Sequence, residues 1–401
     1  MTSLTPTEIA LVEAIDPAPI LARTLQWADI NSGTGNLAGL ATIAGLLADA
    51  ASTLPGDIEL AEPAPVERID AQGQPYKVDN GRHFVLRVRP GANRRVLLTG
   101  HMDTVFAPAH PFQSCRWLDG ETINGPGTAD MKGGIALLLA GLAAFETTHP
   151  ALGYDVLVNS DEETGSLSSA TLIRDLAAGK LAALTYEPAL PDGSMARGRP
   201  GSGNFAAHIA GRSAHAGRNP QDGRNAVLAA SDLALRLAAG VRPGLGLNPA
   251  KIDGGGPDNM VPDTAVLRFN VRPADDAALA EARDLIERSV AEVAAAHDVA
   301  IHLHGGFGRP PKAITPATQA LFGGVRQASL DLGSDLAWAD TGGVCDGNNI
   351  AACGVPVIDT MGALGGAIHS ADEFLHVPSL AARARLTALV LHRIAQGVIA
   401  A

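Results

Sequence analysis

The sequence predicts an α/β protein whose main domain is interrupted by a smaller two-layer α+β unit. In the first half of the chain, apolar strand patterns alternate with helix patterns, and polar motifs follow the strands. This layout is expected of an α/β fold with a site at the carboxyl ends of its strands. Between residues 200 and 309 the pattern changes to the order β-α-β-β-α-β, which is typical of a two-layer α+β unit. The main domain is therefore predicted over residues 1–199 and 310–401.

The predicted elements of the main domain follow from the spacing of apolar residues. Its first half contains two amphipathic helices, one apolar helix and four strands. The three helices lie at residues 7–28, 36–53 and 131–145, and the strands at 84–89, 95–99, 154–159 and 181–186. A further helix is predicted after PPKAITP, where the main domain resumes.

The inserted unit is predicted with four strands and two helices. Its strands lie at residues 204–210, 251–252, 264–271 and 299–303, and its helices at 226–239 and 275–297. The glycine-rich segment GGGPDNMVP separates the two middle strands. This unit is predicted over residues 200–309.

Length and charge exclude several classes of protein. The chain has 401 residues, which is enough for two domains with substantial cores. Its net charge of -12 argues against a nucleic-acid-binding protein, since binding to the phosphate backbone needs a basic face. We expect no signal peptide and no membrane span, because no basic segment precedes an apolar core and no apolar run reaches about 18 residues. The three cysteines form no metal-spaced pair, so a cytoplasmic location is expected.

Five acidic or histidine motifs occur in order along the chain: HMD at 101–103, GTAD at 127–130, DEETG at 161–165, YEP at 186–188 and GAIHS at 366–370. Two divalent cations about 3.5–4 Å apart can share a bridging carboxylate. Such a centre needs roughly two histidines and three carboxylates. The motifs supply His101, Asp130, Glu163, Glu187 and His369 as candidate ligands. They therefore predict a two-metal hydrolase.

Two acidic residues in these motifs remain for other roles. Asp103 lies two residues after His101, so on a strand both side chains would face the same side. We expect it to hold the imidazole and fix its tautomer. Glu162 directly precedes Glu163 and is the best candidate for the general base that takes a proton from the attacking water.

The motifs HMDTV, GTADMKGG, NSDEETGS, YEP and GAIHSADE resemble those of the M20 metallopeptidases, from about residue 20 to the C-terminus. The resemblance implies a zinc-exopeptidase-like catalytic domain, and it makes residues 200–309 a dimerisation or lid domain. It also implies that Asp130 bridges the metals, with His101 and Glu187 on one and Glu163 and His369 on the other.

The same resemblance places Glu162 at the family's general base. The dipeptidase branch usually has aspartate at the position of Glu187, so this glutamate favours the carboxypeptidase and deacylase branches.

The resemblance also assigns residues near the inserted domain. His215 in RSAHAG matches a histidine that stabilises the oxyanion across a dimer interface. Asn259 in DNMVP and Arg272 in FNVRP match positions that contact substrate, and an arginine suits a carboxylate because its planar fork binds both oxygens. Arg309 in GFGRP and Arg199 are further candidates for the same pocket.

Two other patterns near histidine and cysteine residues are not interpreted as catalytic or metal-binding sites. The HLH at 302–304 resembles a metal pair, but it lies in the inserted unit without a nearby carboxylate cluster. Cys345 lies close to the site along the chain, but a metal-activated water already supplies a nucleophile.

The predicted function is hydrolysis of an amide bond by a zinc-dependent enzyme with two divalent cations per chain; cobalt and manganese suit the same ligands. The expected substrate is a small peptide or N-acyl amino acid with a free carboxylate, as for a glutamate carboxypeptidase, and the expected assembly is a homodimer through the inserted domain. One alternative is an N-acyl amino acid deacylase resembling acetylornithine deacetylase. Another alternative is a non-catalytic, metal-stabilised binding protein. The presence of Glu162 argues against it, since a structural metal site has no need of a free base.

Overall fold

The structure is a computed structural model that describes residues 4–400. Within that range it contains ten α-helices and twenty strands, many of the strands only two or three residues long. Helices α1 to α10 span Pro6–Glu13, Pro17–Ala28, Leu37–Ala51, Gly133–Glu146, Ala170–Ala177, Ala226–Ala239, Asp276–His297, Pro316–Asp331, Asp346–Ala351 and Pro378–Ala395. Strands β1 to β10 span Asp57–Ala61, Val66–Ile69, Pro75–Val78, His83–Val88, Arg95–His101, Arg116–Trp117, Thr122–Asn124, Gly153–Asn159, Ala182–Thr185 and Met195–Ala196. Strands β11 to β20 span Ser202–Ala210, Ala214–His215, Leu245–Gly254, Met260–Val261, Thr264–Pro273, Ala300–Arg309, Trp338–Ala339, Val357–Ile358, Gly365–Gly366 and Phe374–His376.

The main domain is built on a six-stranded sheet in the order β1-β4-β8-β5-β9-β18. Strands β8, β5, β9 and β18 run parallel to one another. At one edge, β4 pairs antiparallel with β8, and β1 pairs antiparallel with β4. The parallel strands are buried on both faces, so they read as continuous apolar runs without alternation.

Helices cover both faces of this sheet. Val96 and Leu98 of β5 point into a core shared with α1 to α4, α8 and α10. Leu97 points to the opposite face, where it packs in a second core with residues of α5 and α9. The resulting three layers confirm the predicted α/β class.

The inserted unit is a four-stranded antiparallel sheet in the order β13-β15-β11-β16. Helices α6 and α7 cover one face, through residues such as Leu233 and Ile286 packed on Leu267. Its long elements follow the order β11-α6-β13-β15-α7-β16, which confirms the predicted β-α-β-β-α-β pattern.

Two predicted helices differ from the structure. The helix predicted over 7–28 is two helices, because Pro17 has no N–H to continue the first, and the side chain of Asp16 caps the second. The apolar helix predicted from residue 131 begins at Gly133. The residues before it, Asp130 and Met131, have non-helical backbone angles.

The β2–β3 hairpin was not predicted, and it connects the two parts of the molecule. Ile69 of the hairpin packs on Ala206 and Val266, which lie on the face of the inserted sheet that α6 and α7 leave uncovered. Arg268 of that sheet donates to the carbonyl oxygens of Ile69 at 2.8 Å and Asp70 at 3.0 Å. The hairpin therefore closes one side of the space between the main domain and the inserted sheet.

Within residues 4–400, the segment Thr128–Glu146, which combines the irregular turn at 128–132 with α4, is long and apolar enough to cross a membrane, with a mean hydropathy of 1.3. However, 89% of its most apolar window is buried inside the protein, as expected of a core helix. The three cysteines are unpaired in the fold.

Candidate metal centre

The five predicted ligands are brought to one edge of the central sheet. His101 ends β5, Glu163 lies in the turn after β8, and Glu187 follows β9. Because β8, β5 and β9 are parallel neighbours, their carboxyl ends meet. Asp130 arrives in the turn before α4, and His369 in the loop between β19 and β20.

The ligand atoms form two groups that share Asp130. The Nε2 atom of His101 lies 3.0 Å from Oδ1 of Asp130 and 3.8 Å from Oε2 of Glu187. The Nε2 atom of His369 lies 3.3 Å from Oδ2 of Asp130 and 3.2 Å from Oε2 of Glu163. Asp130 thus presents one oxygen to each group, as a bridging carboxylate does.

The donor atoms fit divalent cations in both chemistry and spacing. Zinc lies about 2.0–2.2 Å from histidine nitrogen and carboxylate oxygen, so tetrahedral ligand atoms are roughly 3.3–3.5 Å apart. The distances above lie around that value, and the atoms of each group are within 4.8 Å of one another. A histidine with two carboxylates suits zinc, and equally cobalt or manganese.

Electrostatics also favour bound cations. Burial, together with the charge of Asp130, raises the pKa of Glu163 to about 8. Hydrogen bonds to Asp130 and Glu163 raise the pKa of His369 to about 10. Burial opposes the ionisation of Asp130, but its bonds to His101 and His369 lower its pKa. A cluster of buried carboxylates is costly unless positive charge compensates it, and cations placed between them would keep them ionised.

Asp103 is fully buried and organises the site from behind. Its Oδ1 accepts the N–H of Glu162 at 3.2 Å, and its Oδ2 accepts the N–H of Glu163 at 3.2 Å and the hydroxyl of Thr34 at 2.8 Å. The Nδ1 atom of His101 lies 3.0 Å from the Asp103 carbonyl oxygen and 3.5 Å from its carboxylate. The main chain of Asp103 is therefore the better acceptor, and it leaves Nε2 to face Asp130.

Glu162, the candidate base, is buried, with 6% of its surface exposed. Burial raises its pKa to about 7, although the charge of Arg309 acts in the opposite direction. A proton acceptor works best when its pKa is close to the operating pH. Glu162 lines the same cleft as the ligands, so it is placed for proton transfer.

The cleft lies between the metal centre and the inserted sheet and has a volume of about 1150 Å³. Arg272 lines it from β15 and donates through Nε to Oδ1 of Asn270 at 2.9 Å. Within residues 4–400, no aspartate or glutamate side chain lies within 4.0 Å of the nitrogens of Arg272. Arg272 therefore carries a positive charge that an anion in the cleft could pair with.

Arg199 and Arg309 line the cleft as well, but each already has a buried carboxylate partner. Arg199 donates through Nε to Oδ2 of Asp359 at 2.7 Å, and Arg309 donates through Nη2 to Oε1 of Glu162 at 2.6 Å. The pair with Glu162 compensates the charge of Arg309 and does not favour its predicted role in binding a substrate carboxylate. Asp359 also pairs with Nζ of Lys312 at 2.6 Å, so this one carboxylate faces two cations and leaves the charge of Arg199 only partly compensated.

His215 and Asn259 lie together but away from this cleft. His215 on β12 pairs with Met260 on β14, and the N–H of Ala216 donates to the carbonyl oxygen of Asn259 at 2.9 Å. The side chain of His215 is exposed, and neither residue is among those that line the cleft. Their predicted roles therefore require the site of a second chain.

Glu373 is a residue of the site to which the sequence assigned no role. It is 1% exposed, and its carboxylate accepts the N–H groups of Gly127 at 3.0 Å, Ala129 at 3.0 Å and Asp130 at 3.1 Å. It thereby holds the turn that carries the shared ligand. The signal was its place in GAIHSADE, four residues after His369, but its burial could not be read from the motif.

Known proteins similar to this chain identify its family. The family model described as peptidase family M20/M25/M40 matches residues 97–393. The chain is similar to Carboxypeptidase G2 of Pseudomonas sp. (strain RS-16), at 28% identity over 96% of this chain and 91% of that protein. It is also similar to Succinyl-diaminopimelate desuccinylase of Methylorubrum extorquens, at 30% identity over 73% of this chain and 80% of that protein. Its fold is similar to that of a tripeptidase from Staphylococcus aureus, with a TM-score of 0.74 at 22% identity over 95% of this chain and 99% of that chain.

Proposed function

We propose a substrate and a metal content for this chain, which belongs to peptidase family M20/M25/M40 and is a hydrolase of C–N bonds. It cleaves peptidyl- or N-acyl-amino acids with a free carboxylate, and it uses two divalent cations, with zinc as the favoured metal. The observation that carries this proposal is the pair of donor groups that share Asp130 beside Glu162. A metal site that only stabilises a fold has no need of a buried carboxylate that lies next to it without being a ligand.

The chain's own groups suit amide hydrolysis. Bound cations polarise a scissile carbonyl and lower the pKa of a water molecule. Glu162 accepts the proton of the attacking water and then transfers it to the leaving nitrogen, which a carboxylate with a pKa near neutrality can do in both directions. Asp103 fixes the backbone of Glu162, so the base keeps one position.

The charge of the cleft supports a substrate with a free carboxylate. Arg272 lines the same cleft as the acidic ligands, from β15 of the inserted sheet, without an acidic partner among the described residues. A substrate that pairs its carboxylate with this arginine would direct its amide bond towards the metal centre. The similarity to a carboxypeptidase over nearly the whole chain supports the same choice over a deacylase.

A homodimer would complete the site. His215 and Asn259 cannot serve the cleft of their own chain in this arrangement, so we propose that they reach the cleft of a partner, where His215 donates to the developing oxyanion. Apolar side chains exposed nearby support a partner surface. They include Leu228 and Leu235 on one face of α6, at 59% and 71% exposure, and Met260 on β14.

The test combines metal analysis with a substrate panel. Elemental analysis should find about two zinc-like ions per chain, and chelation should abolish hydrolysis that added zinc then restores. The panel should contain peptidyl-glutamates, N-acyl amino acids such as N-acetylornithine, and the matching amides. Preference for the peptidyl acids supports the proposal, and preference for N-acetylornithine would favour the deacylase. A fully active metal-free preparation would refute the metal centre.

A further inference from the structure

Arg309 is the last residue of β16, where the chain leaves the inserted sheet and returns to the main domain. It is 8% exposed, so its charge is almost removed from water. Its Nη2 donates to the Glu162 side chain at Oε1, 2.6 Å away, and to the Glu162 carbonyl oxygen at 2.9 Å. One nitrogen of an arginine at the domain junction therefore holds both the backbone and the carboxylate of the candidate base.

A buried polar network supports this contact. The same Nη2 lies 3.0 Å from Oγ of Ser166, which donates to Oδ1 of Asp346 at 2.5 Å. Asn159, at the end of β8, donates to the other oxygen of Asp346 at 2.7 Å. Oδ1 of Asp346 also lies 3.6 Å from Nη2 of Arg309, so the guanidinium is near two buried carboxylates.

The junction itself is held against the main domain. Asn348 on α9 donates through Nδ2 to the carbonyl oxygen of Pro200, at 2.9 Å, and to that of Pro310, at 2.8 Å. These two prolines lie on the two chain crossings between the domains. Arg309 is the immediate neighbour of Pro310. A rotation of the inserted sheet about these crossings would therefore move Arg309 less than the residues of the sheet that lie farther from them.

We propose that Arg309 is a positioning residue for Glu162: it binds Oε1 and the carbonyl oxygen of the base, so that Oε2 remains directed into the cleft for the proton. This inference rests on the proposed function. The contact also has an electrostatic reason. The negative charges of Glu163, Glu187 and Asp103 act on the carboxylate of Glu162, and the guanidinium of Arg309 opposes them.

The inference differs measurably from a role in substrate binding. A residue that grips the substrate carboxylate changes KM for acids and leaves the matching amides unaffected. A residue that acts through Glu162 lowers kcat for acids and amides alike and leaves KM almost unchanged. It also has no further effect once Glu162 can no longer accept a proton, since both changes then remove the same step.

The experiment compares Arg309→Ala, Arg309→Lys, Glu162→Gln and the Arg309→Ala/Glu162→Gln double variant. Arg326→Ala, which removes an exposed arginine of α8, serves as control and should behave as wild type. Arg309→Ala should lower kcat by about 10–100-fold, the effect of misplacing a reacting group by roughly 1 Å. Arg309→Lys, which keeps the charge, should lie between Arg309→Ala and wild type. Guanidinium ion far below denaturing concentrations should restore part of the kcat of Arg309→Ala.

Three results would overturn the proposal: a KM effect confined to acids, a full additional loss when Arg309→Ala is added to Glu162→Gln, or lower activity of Arg309→Lys than of Arg309→Ala. Should Arg309→Ala fail to fold, the lysine variant carries the same comparison, combined with Glu162→Gln.

A readout independent of turnover separates this inference from the proposed function. Urea unfolding midpoints of the wild type, Arg309→Ala, Glu162→Gln and the double variant should be non-additive, because the two side chains are in contact. Additive midpoints would show that the pair does not form in solution. If the wild-type protein hydrolyses nothing in the panel, the proposed function fails, while the unfolding cycle still reports whether Arg309 holds Glu162.

Discussion

Replacing Glu373 with glutamine should loosen the shared metal ligand without touching any ligand directly. Oε1 of Glu373 accepts the N–H groups of Ala129 and Asp130, and Oε2 accepts the N–H of Gly127. Glutamine keeps the size of the side chain and can keep one oxygen on the first two donors. Its amide nitrogen then faces the N–H of Gly127, so one bond is replaced by two opposed donors.

The magnitude follows from the nature of the lost bond. A hydrogen bond to a charged acceptor contributes about 1.5–3 kcal/mol. Burial and the nearby charge of Asp130 raise the pKa of Glu373 to about 7, so neutralising it also relieves repulsion. We therefore expect a net loss of about 1–2 kcal/mol in the free energy of unfolding. Residues that orient a ligand typically change metal affinity about 10–100-fold. Because Asp130 belongs to both donor groups, both binding steps should weaken.

The assay is calorimetric titration of zinc into chelator-treated protein, together with urea unfolding. Glu121→Gln is the matched control, because it makes the same chemical change at an exposed position directly before β7. Glu373→Gln with zinc affinities within about threefold of wild type for both steps would refute the inference that this carboxylate holds the bridging ligand.

Three further predictions concern the reaction. Glu162→Gln should keep both ions and lower kcat by at least about 10²-fold, and near-normal turnover would move the base elsewhere, with Asp103 the next candidate. Arg272→Ala should lower kcat/KM for acids far more than for the matching amides, by an amount equivalent to about 2–5 kcal/mol, the cost of losing a buried charged partner. Equal losses for acids and amides would show that Arg272 supports the fold instead. Mixing Glu162→Gln with His215→Ala and exchanging their chains should restore turnover, since one site of a mixed dimer would be intact, and an inactive mixture after demonstrated exchange would contradict the trans assignment.

The sequence alone was sufficient for the fold class and for the residues that meet at the candidate centre. Apolar runs such as 95–99 and 154–159 predict strands because burial on both faces leaves no polar alternation, and both are strands in the structure. His101 ends one of these strands and Glu163 lies in the turn after the other, so their convergence follows from the parallel pairing of the two strands. All five candidate ligands lie in motifs a few residues long, and short-range patterns of this kind can be read from one chain.

The partners of those residues were decided only by the tertiary structure. Arg309 contacts Glu162 from 147 residues away, and Glu373 contacts Gly127 from 246 residues away. No local periodicity encodes such a pairing, because it depends on how the inserted sheet returns to the main domain and on how the loop before β20 packs on the turn before α4. Arg309 and Arg272 are both arginines in short β-strand motifs, and their sequences do not separate their roles. Burial beside a carboxylate compensates the charge of Arg309 inside the protein, whereas Arg272 faces the cleft with its charge uncompensated, and that difference exists only once the two domains are folded together.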